Sequence, residues 1–202
     1  MIQFAFYAPQ WVNYIQHTLD LPGFAEGVWW IHTHTKDSNW SVEQDVREIW
    51  VAQIAERTPL SADSLIDGAV DVEWFQRVYA ILGAERWQQL DKAARYASSG
   101  GGHQRAKQFA NAMLGQINKG ELIDRIVKKR HQDSIRALGL CPLDSGKQRE
   151  TDILARYKTY QEFLRTSKKF GAQRRASEKL CVEIGMENLA RTARFTDPQR
   201  LK

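Results

Sequence analysis

Apolar positions recur every three to four residues over most of this chain, the period of helices that bury one face. Val42, Val46, Ile49, Trp50 and Ile54 form one such stripe, and Ser41 followed by Gln44 is a capping-box pattern for its start. Thr58 and Pro59 mark a turn, after which Ser61 is placed to cap a short helix through Ile66. Asp71 precedes Val72, Phe75, Val78, Tyr79 and Leu82, a stripe that Gly83 is expected to stop. Trp87, Leu90 and Ala94 carry a further helix, halted by the Ser-Ser-Gly-Gly-Gly run at 98–102.

The pattern resumes with Ala106, Phe109, Ala110, Met113 and Leu114, then with Leu122, Ile123, Ile126 and Val127, and again with Ile135 and Leu138. Ile153, Tyr157, Tyr160 and Phe163 predict a long helix to the region of Lys169, and Ala176, Leu180, Ile184 and Leu189 a last one. The one stretch that alternates with period two is GVWWIHTHT at 27–35, which predicts a short strand or hairpin near the N-terminus. The expected fold is all-α, an irregular, solenoid-like stack of antiparallel helical hairpins with about seven to nine helices. Asp197 and Pro198 have the form of an N-cap followed by proline at the first helical position. With so few residues after them, the chain is expected to be a section of a longer protein, with the missing flanking domains among its partners.

Charge changes this picture. Residues 1–90 hold 5 lysines and arginines against 12 aspartates and glutamates, whereas 91–202 hold 24 against 12. All seven tryptophans fall between Trp11 and Trp87. The chain is therefore read as an acidic, tryptophan-rich helical part at 1–97 and a basic helical part at 98–202, forming one continuous helical domain. No segment has the 18 or so apolar residues of a membrane span. The opening residues lack the charged and apolar regions of a secretory leader. Two cysteines, Cys141 and Cys181, are read as free thiols in a reducing compartment, so the expected location is the cytoplasm.

Three segments, GGGHQRAKQFANAMLGQ, KKRHQDSIRALGLCPL and YKTYQEFLRTSKKFGAQRRASEKLCVEIGMENLARTARFTDPQRL, resemble the large bacterial MolR-like proteins with a domain of unknown function, some of which also carry a WGR domain. APQWVNYI, GFAEGVWWIHTHTKD and ERTPLSADSLIDGAVDVEWF extend the resemblance over nearly the whole chain. It implies an internal or truncated section of such a protein, and it carries no catalytic residue onto any position here.

Two basic clusters are candidates for an anion or nucleic-acid contact: Lys128, Lys129, Arg130, His131 and Arg136, and Lys168, Lys169, Arg174, Arg175 and Lys179. A phosphate backbone would be followed by such clusters on successive helical turns; a solvated helix face is the plainer account. His32, His34 and Asp37 are candidate metal ligands, since alternate histidines on a strand share a face and two imidazoles with a carboxylate suit zinc or iron. His103 is a candidate to join them. The glycine run at 98–102 lacks the lysine and hydroxyl of a phosphate-binding loop and reads as a link. RRAS at 174–177 raises a kinase site at Ser177, and Trp29, Trp30 and Trp40 are candidates to line a pocket, although tryptophan is mostly core. No cofactor and no catalytic residue is assigned. The leading expectation is a helical scaffold or protein-interaction domain; nucleic-acid or other polyanion binding is the alternative, and a metal-assisted hydrolase the third.

Overall fold

The computed structural model describes residues 1–37, 40–97 and 102–195. Among them every regular element is helical: α1 (Phe4–Tyr7), a 3-10 turn (Pro9–Trp11), α2 (Val12–Leu19), α3 (Phe24–His34), α4 (Gln44–Ala55), α5 (Ala62–Asp67), α6 (Val72–Ala97), α7 (Gly102–Met113), α8 (Lys119–Lys129), α9 (Gln132–Leu140), α10 (Gln148–Ser167) and α11 (Ala172–Ala193). The all-α expectation holds. The strand expected at 27–35 does not form; residues 27–34 belong to α3 and Thr35 caps its end. That helix is buried on nearly every side, from Phe24 through Trp29, Trp30 and Ile31 to Thr33 and His34. It has no polar face to display a 3.6-residue period, and the alternation of His and Thr at its end is a coincidence of composition.

The chain divides into two compact units, one of Met1–Ile66 with Glu73–Lys107 and the other of Asp67–Val72 with Gln108–Lys202. In the first, α3 is the centre. Gly27 lets it approach α6, since a Cβ there would meet Leu90 and Leu82 methyls at 2.7 and 2.8 Å. The Trp30 ring, wholly buried, packs on Phe75 at 4.9 Å and on Trp87 at 5.5 Å. Ser61 does cap α5, its Oγ accepting from the Ser64 N–H at 3.1 Å. The capping box at Ser41 is not made: α4 starts at Gln44, and the Gln44 amide donates to Glu48 instead. Gly83 leaves the helical region, at φ 72° and ψ 170°, so α6 is two helical segments that meet at a kink where the stop was expected.

In the second unit, α9 lies against α11 with almost nothing between them. A Cβ on Gly139 would collide with the Gly185 carbonyl and stand 2.8 Å from Leu189 N. The Tyr160 hydroxyl donates toward the Ile135 and Gly185 carbonyls at this crossing, each at 3.3 Å. Asn188 ties in the segment before α6: its amide donates to Gly68 O at 3.1 Å and its oxygen accepts from Val70 N at 2.9 Å. The run at 98–101 and the cap proposed at Asp197 and Pro198 lie outside the described residues.

Candidate functional site

The basic clusters separate into two kinds of residue. Arg130 leaves α8 in the left-handed conformation, φ 51°, and turns inward. Its Nε and Nη2 donate to Glu178 at 2.9 and 2.5 Å, and Nη1 donates to Thr166 Oγ1 at 2.8 Å. Its guanidinium also stacks on the Phe163 ring, 3.9 Å from the centroid. Arg174 donates to the same carboxylate at 3.0 Å and stacks on Phe170 at 3.7 Å. Burial alone would raise the Glu178 carboxyl; hydrogen bonds led by Arg130 outweigh it and hold the pKa at about 2. Arg130 is thus bound internally, and Arg174, half-exposed, shares its carboxylate. Arg136 pairs with Asp133 at 3.0 Å, Lys128 with Asp124 at 2.7 Å and Lys179 with Glu183 at 3.5 Å.

Lys129, Lys168, Lys169 and Arg175 are exposed, with no ion-pair partner among the described residues. Lys128 and Lys169, together with Lys158, border a groove of about 530 Å³ floored by Ile126 and Phe163. Ser177 is on α11 and shares a 3.0 Å hydrogen bond with the Gln132 amide. Both cysteines are buried, and burial raises both thiols, Cys181 to about 12, which makes them poor nucleophiles.

The helical state of α3 also changes the histidines. Two residues apart on a helix, His32 and His34 are about 200° apart around the axis rather than on one face. His34 is fully buried beside Trp30, with ring centroids at 4.4 Å, whereas His32 meets the edge of Trp29 at 5.6 Å. His103 is elsewhere, 2.9 Å from Asp91. Among the described residues no three His, Cys, Asp or Glu side chains group to hold a metal.

The first unit holds a cavity of about 610 Å³ beside α3 and α4. Trp29, Trp40 and Trp50 form its walls, Val46 and Ile49 its lip, and His32 and Lys36 its polar side. Trp40 and Trp50 are tilted against each other at 4.7 Å, and the Lys36 ammonium lies over Trp40 at 5.2 Å. The Arg57 guanidinium covers the Trp29 ring at 5.2 Å. Glu26 is engaged there by Arg57 at 3.0 Å and by the Trp74 indole N–H at 2.9 Å.

Burial lowers the pKa of Lys36, and no carboxylate among the described residues pairs with it. Burial, then the Lys36 charge, brings His32 down to about 3, so its ring is neutral near pH 7. The His32 Nδ1 and the indole N–H groups of Trp29 and Trp50 are sealed from water without a hydrogen-bond partner. Among the described lining residues there is no Asp, Glu, Ser, Thr or Cys. The sequence put Trp29 and Trp40 forward as pocket residues; Trp30 is instead core. It missed Lys36, whose position one turn past His32 was the available signal, and it placed Val46 and Ile49 in the core.

A second set of polar residues was not visible in the sequence. Arg156 is 2% exposed and donates to both Asp152 oxygens, at 3.0 and 2.7 Å, and to the carbonyls of Leu138, Cys141 and Pro142. It thereby satisfies carbonyls at the C-terminal end of α9 that have no helical partner. Lys119 and the Asp144 N–H complete the bonding of Asp152, at 3.1 Å each. Every donor of this arginine is turned to the fold, which makes it structural.

These features define an all-helical protein whose open chemistry is an aromatic cavity and a lysine-bordered groove. Residues 1–202 match the family of unknown function DUF5724 over the whole chain, and the chain belongs to that family. Nothing among curated proteins or solved structures matches it.

Proposed function

We propose that the chain is a recognition module, a helical interaction domain that holds an apolar group in the cavity beside α3 and α4, and not a catalyst. The observation that carries this reading is the lining of that cavity. Three indole rings, the Tyr7 ring and the aliphatic side chains of Val12, Val42, Val46 and Ile49 surround it, with no carboxylate or aliphatic hydroxyl among the described lining residues, and its one imidazole is too weak a base to abstract a proton near neutral pH. Such a lining supplies desolvation and shape. Working beside other domains of a longer bacterial protein, as the MolR-like resemblance implies, the module would confer binding on an activity located elsewhere.

Nile red, a neutral apolar dye, tests this. One molecule per chain is expected to bind with a rise in fluorescence, and Ile49→Glu, at a position 61% exposed, is expected to weaken binding at least about tenfold, since a carboxylate at the lip opposes an apolar occupant. Unchanged binding by Ile49→Glu contradicts the reading.

A second reading, polyanion binding, is supported by Lys158 beside Lys128 and Lys169 at the groove and by the exposed Lys129, Lys168 and Arg175. Because Arg130 and Arg174 are committed to Glu178, the variant that tests it is Lys129, Lys168, Lys169 and Arg175 changed together to alanine. Loss of salt-dependent DNA or RNA binding supports it. Absence of salt-dependent binding in the parent ends it.

A further inference from the structure

We infer that the cavity beside α3 and α4 takes a small monocarboxylic acid whose body is aromatic or branched aliphatic; this rests on the reading of that cavity as a recognition site and adds the ligand's charge and class. Its volume of about 610 Å³ falls within the range of small-molecule sites. Its walls settle the body of the ligand. The rings of Trp29, Trp40 and Trp50 line it together with the aliphatic side chains of Val12, Val42, Val46 and Ile49. An aromatic ring or a branched chain gains from leaving water in such a space, and an extended polar molecule does not.

The polar groups settle the charge. Lys36 lies over Trp40 with no carboxylate partner among the described residues, and an ammonium in an apolar cavity without a counter-ion is costly. Glu26, a carboxylate on the same helix as Trp29, is held instead by Arg57 and Trp74. A ligand with one negative charge supplies the counter-ion that Lys36 lacks.

One charge is also the limit. A phosphate monoester would bring close to two negative charges to a cavity whose described lining residues hold a single cation and a neutral imidazole, leaving charge uncompensated in an apolar setting. A quaternary ammonium, the other ligand that indole walls suit, is opposed by Lys36. The rim amides of Gln10, Asn13 and Gln53 are neutral and carry both donors and acceptors.

The test compares 3-phenylpropionate with 3-phenylpropionamide, and 4-methylpentanoate with its amide, by calorimetric titration of the full chain. Each acid is expected to bind at least about tenfold more tightly than its amide, the size of a charge-assisted hydrogen bond. Lys36→Met is expected to remove that preference while leaving the weak amide affinity in place, and Lys36→Arg to restore part of it. Near-ultraviolet circular dichroism matching the parent shows that the variants are folded; if Lys36→Met fails this check, the acid and amide comparison in the parent decides. Equal affinity for acid and amide, or a preference that survives Lys36→Met, overturns the inference. Binding of Nile red with no binding of either acid overturns it too while leaving the recognition reading standing, and absence of Nile red binding as well overturns both.

Discussion

Arg130 holds Glu178 through two parallel hydrogen bonds, of 2.9 and 2.5 Å, although the two residues are 48 positions apart. The carboxylate is 1% exposed, and Arg174 shares it. An apparent anion-binding cluster is here the counter-charge to a buried glutamate. Glu178→Ala is expected to cost about 3–5 kcal/mol, because it leaves two guanidinium groups without their partner. The urea midpoint should fall accordingly, and retention on heparin should rise as Arg130 and Arg174 become available. A midpoint within about 0.5 kcal/mol of the parent would contradict this placement of the pair.

Gly139 stands where α9 crosses α11, and the atoms a new Cβ would meet are backbone: Gly185 O and, at 2.8 Å, Leu189 N. Backbone in two packed helices cannot swing aside as a side chain can. Gly139→Ala is expected to destabilise by at least about 1–3 kcal/mol, read as a lower thermal midpoint. A neutral result would show that the helices do not approach this closely.

Gly83 poses the opposite problem, since a Cβ there meets nothing within 4 Å. Its cost would be conformational, because φ 72° with ψ 170° is a region essentially restricted to glycine. Gly83→Ala is expected to destabilise by about 1–3 kcal/mol, or to straighten α6 and disturb the packing of Trp87. Either outcome is measurable by urea titration followed through tryptophan fluorescence.

Stability should fall on acidification before the carboxylates titrate. His34, wholly buried, has its pKa lowered from 6.5 to about 3, first by burial and then by Arg105, and His32 moves the same way. Between these values the unfolded chain binds more protons than the folded one, so stability rises with pH and is lost as the pH falls. The slope for His34 approaches about 1.4 kcal/mol per pH unit. Glu178 acts lower: its pKa falls from 4.5 to about 2, so its contribution is present above 4.5 and disappears as the pH drops through about 2. Urea midpoints should be level above about pH 7 and decline toward about pH 5; a level profile over that interval would contradict the burial of His34 as a neutral ring.

The helical class was legible wherever a helix has one wet face, as in α8, where Leu122 and Ile126 are buried and Val127 is not. It was illegible in α3, which has almost no wet face. In α4 the apolar stripe itself misled: Trp50 and Ile54 are core, but Val46 is 47% exposed and Ile49 more so. A stripe records only that side chains are apolar; whether another helix or a ligand covers them is a tertiary fact. The site lies where pattern and burial disagree, as expected of functional surfaces. Arg130 and Arg156 were hidden for a related reason, because sequence shows their charge and only the fold shows the buried carboxylates and carbonyls they serve.

The most direct test of the cavity as a recognition site is the indole region of a proton–nitrogen correlation spectrum during titration with 3-phenylpropionate. Seven indole signals are available, one for each tryptophan. The Trp29, Trp40 and Trp50 resonances should shift in a saturable manner while those of Trp74 and Trp87 stay in place. Uniform movement of all seven, or movement confined to tryptophans away from α3 and α4, would contradict it.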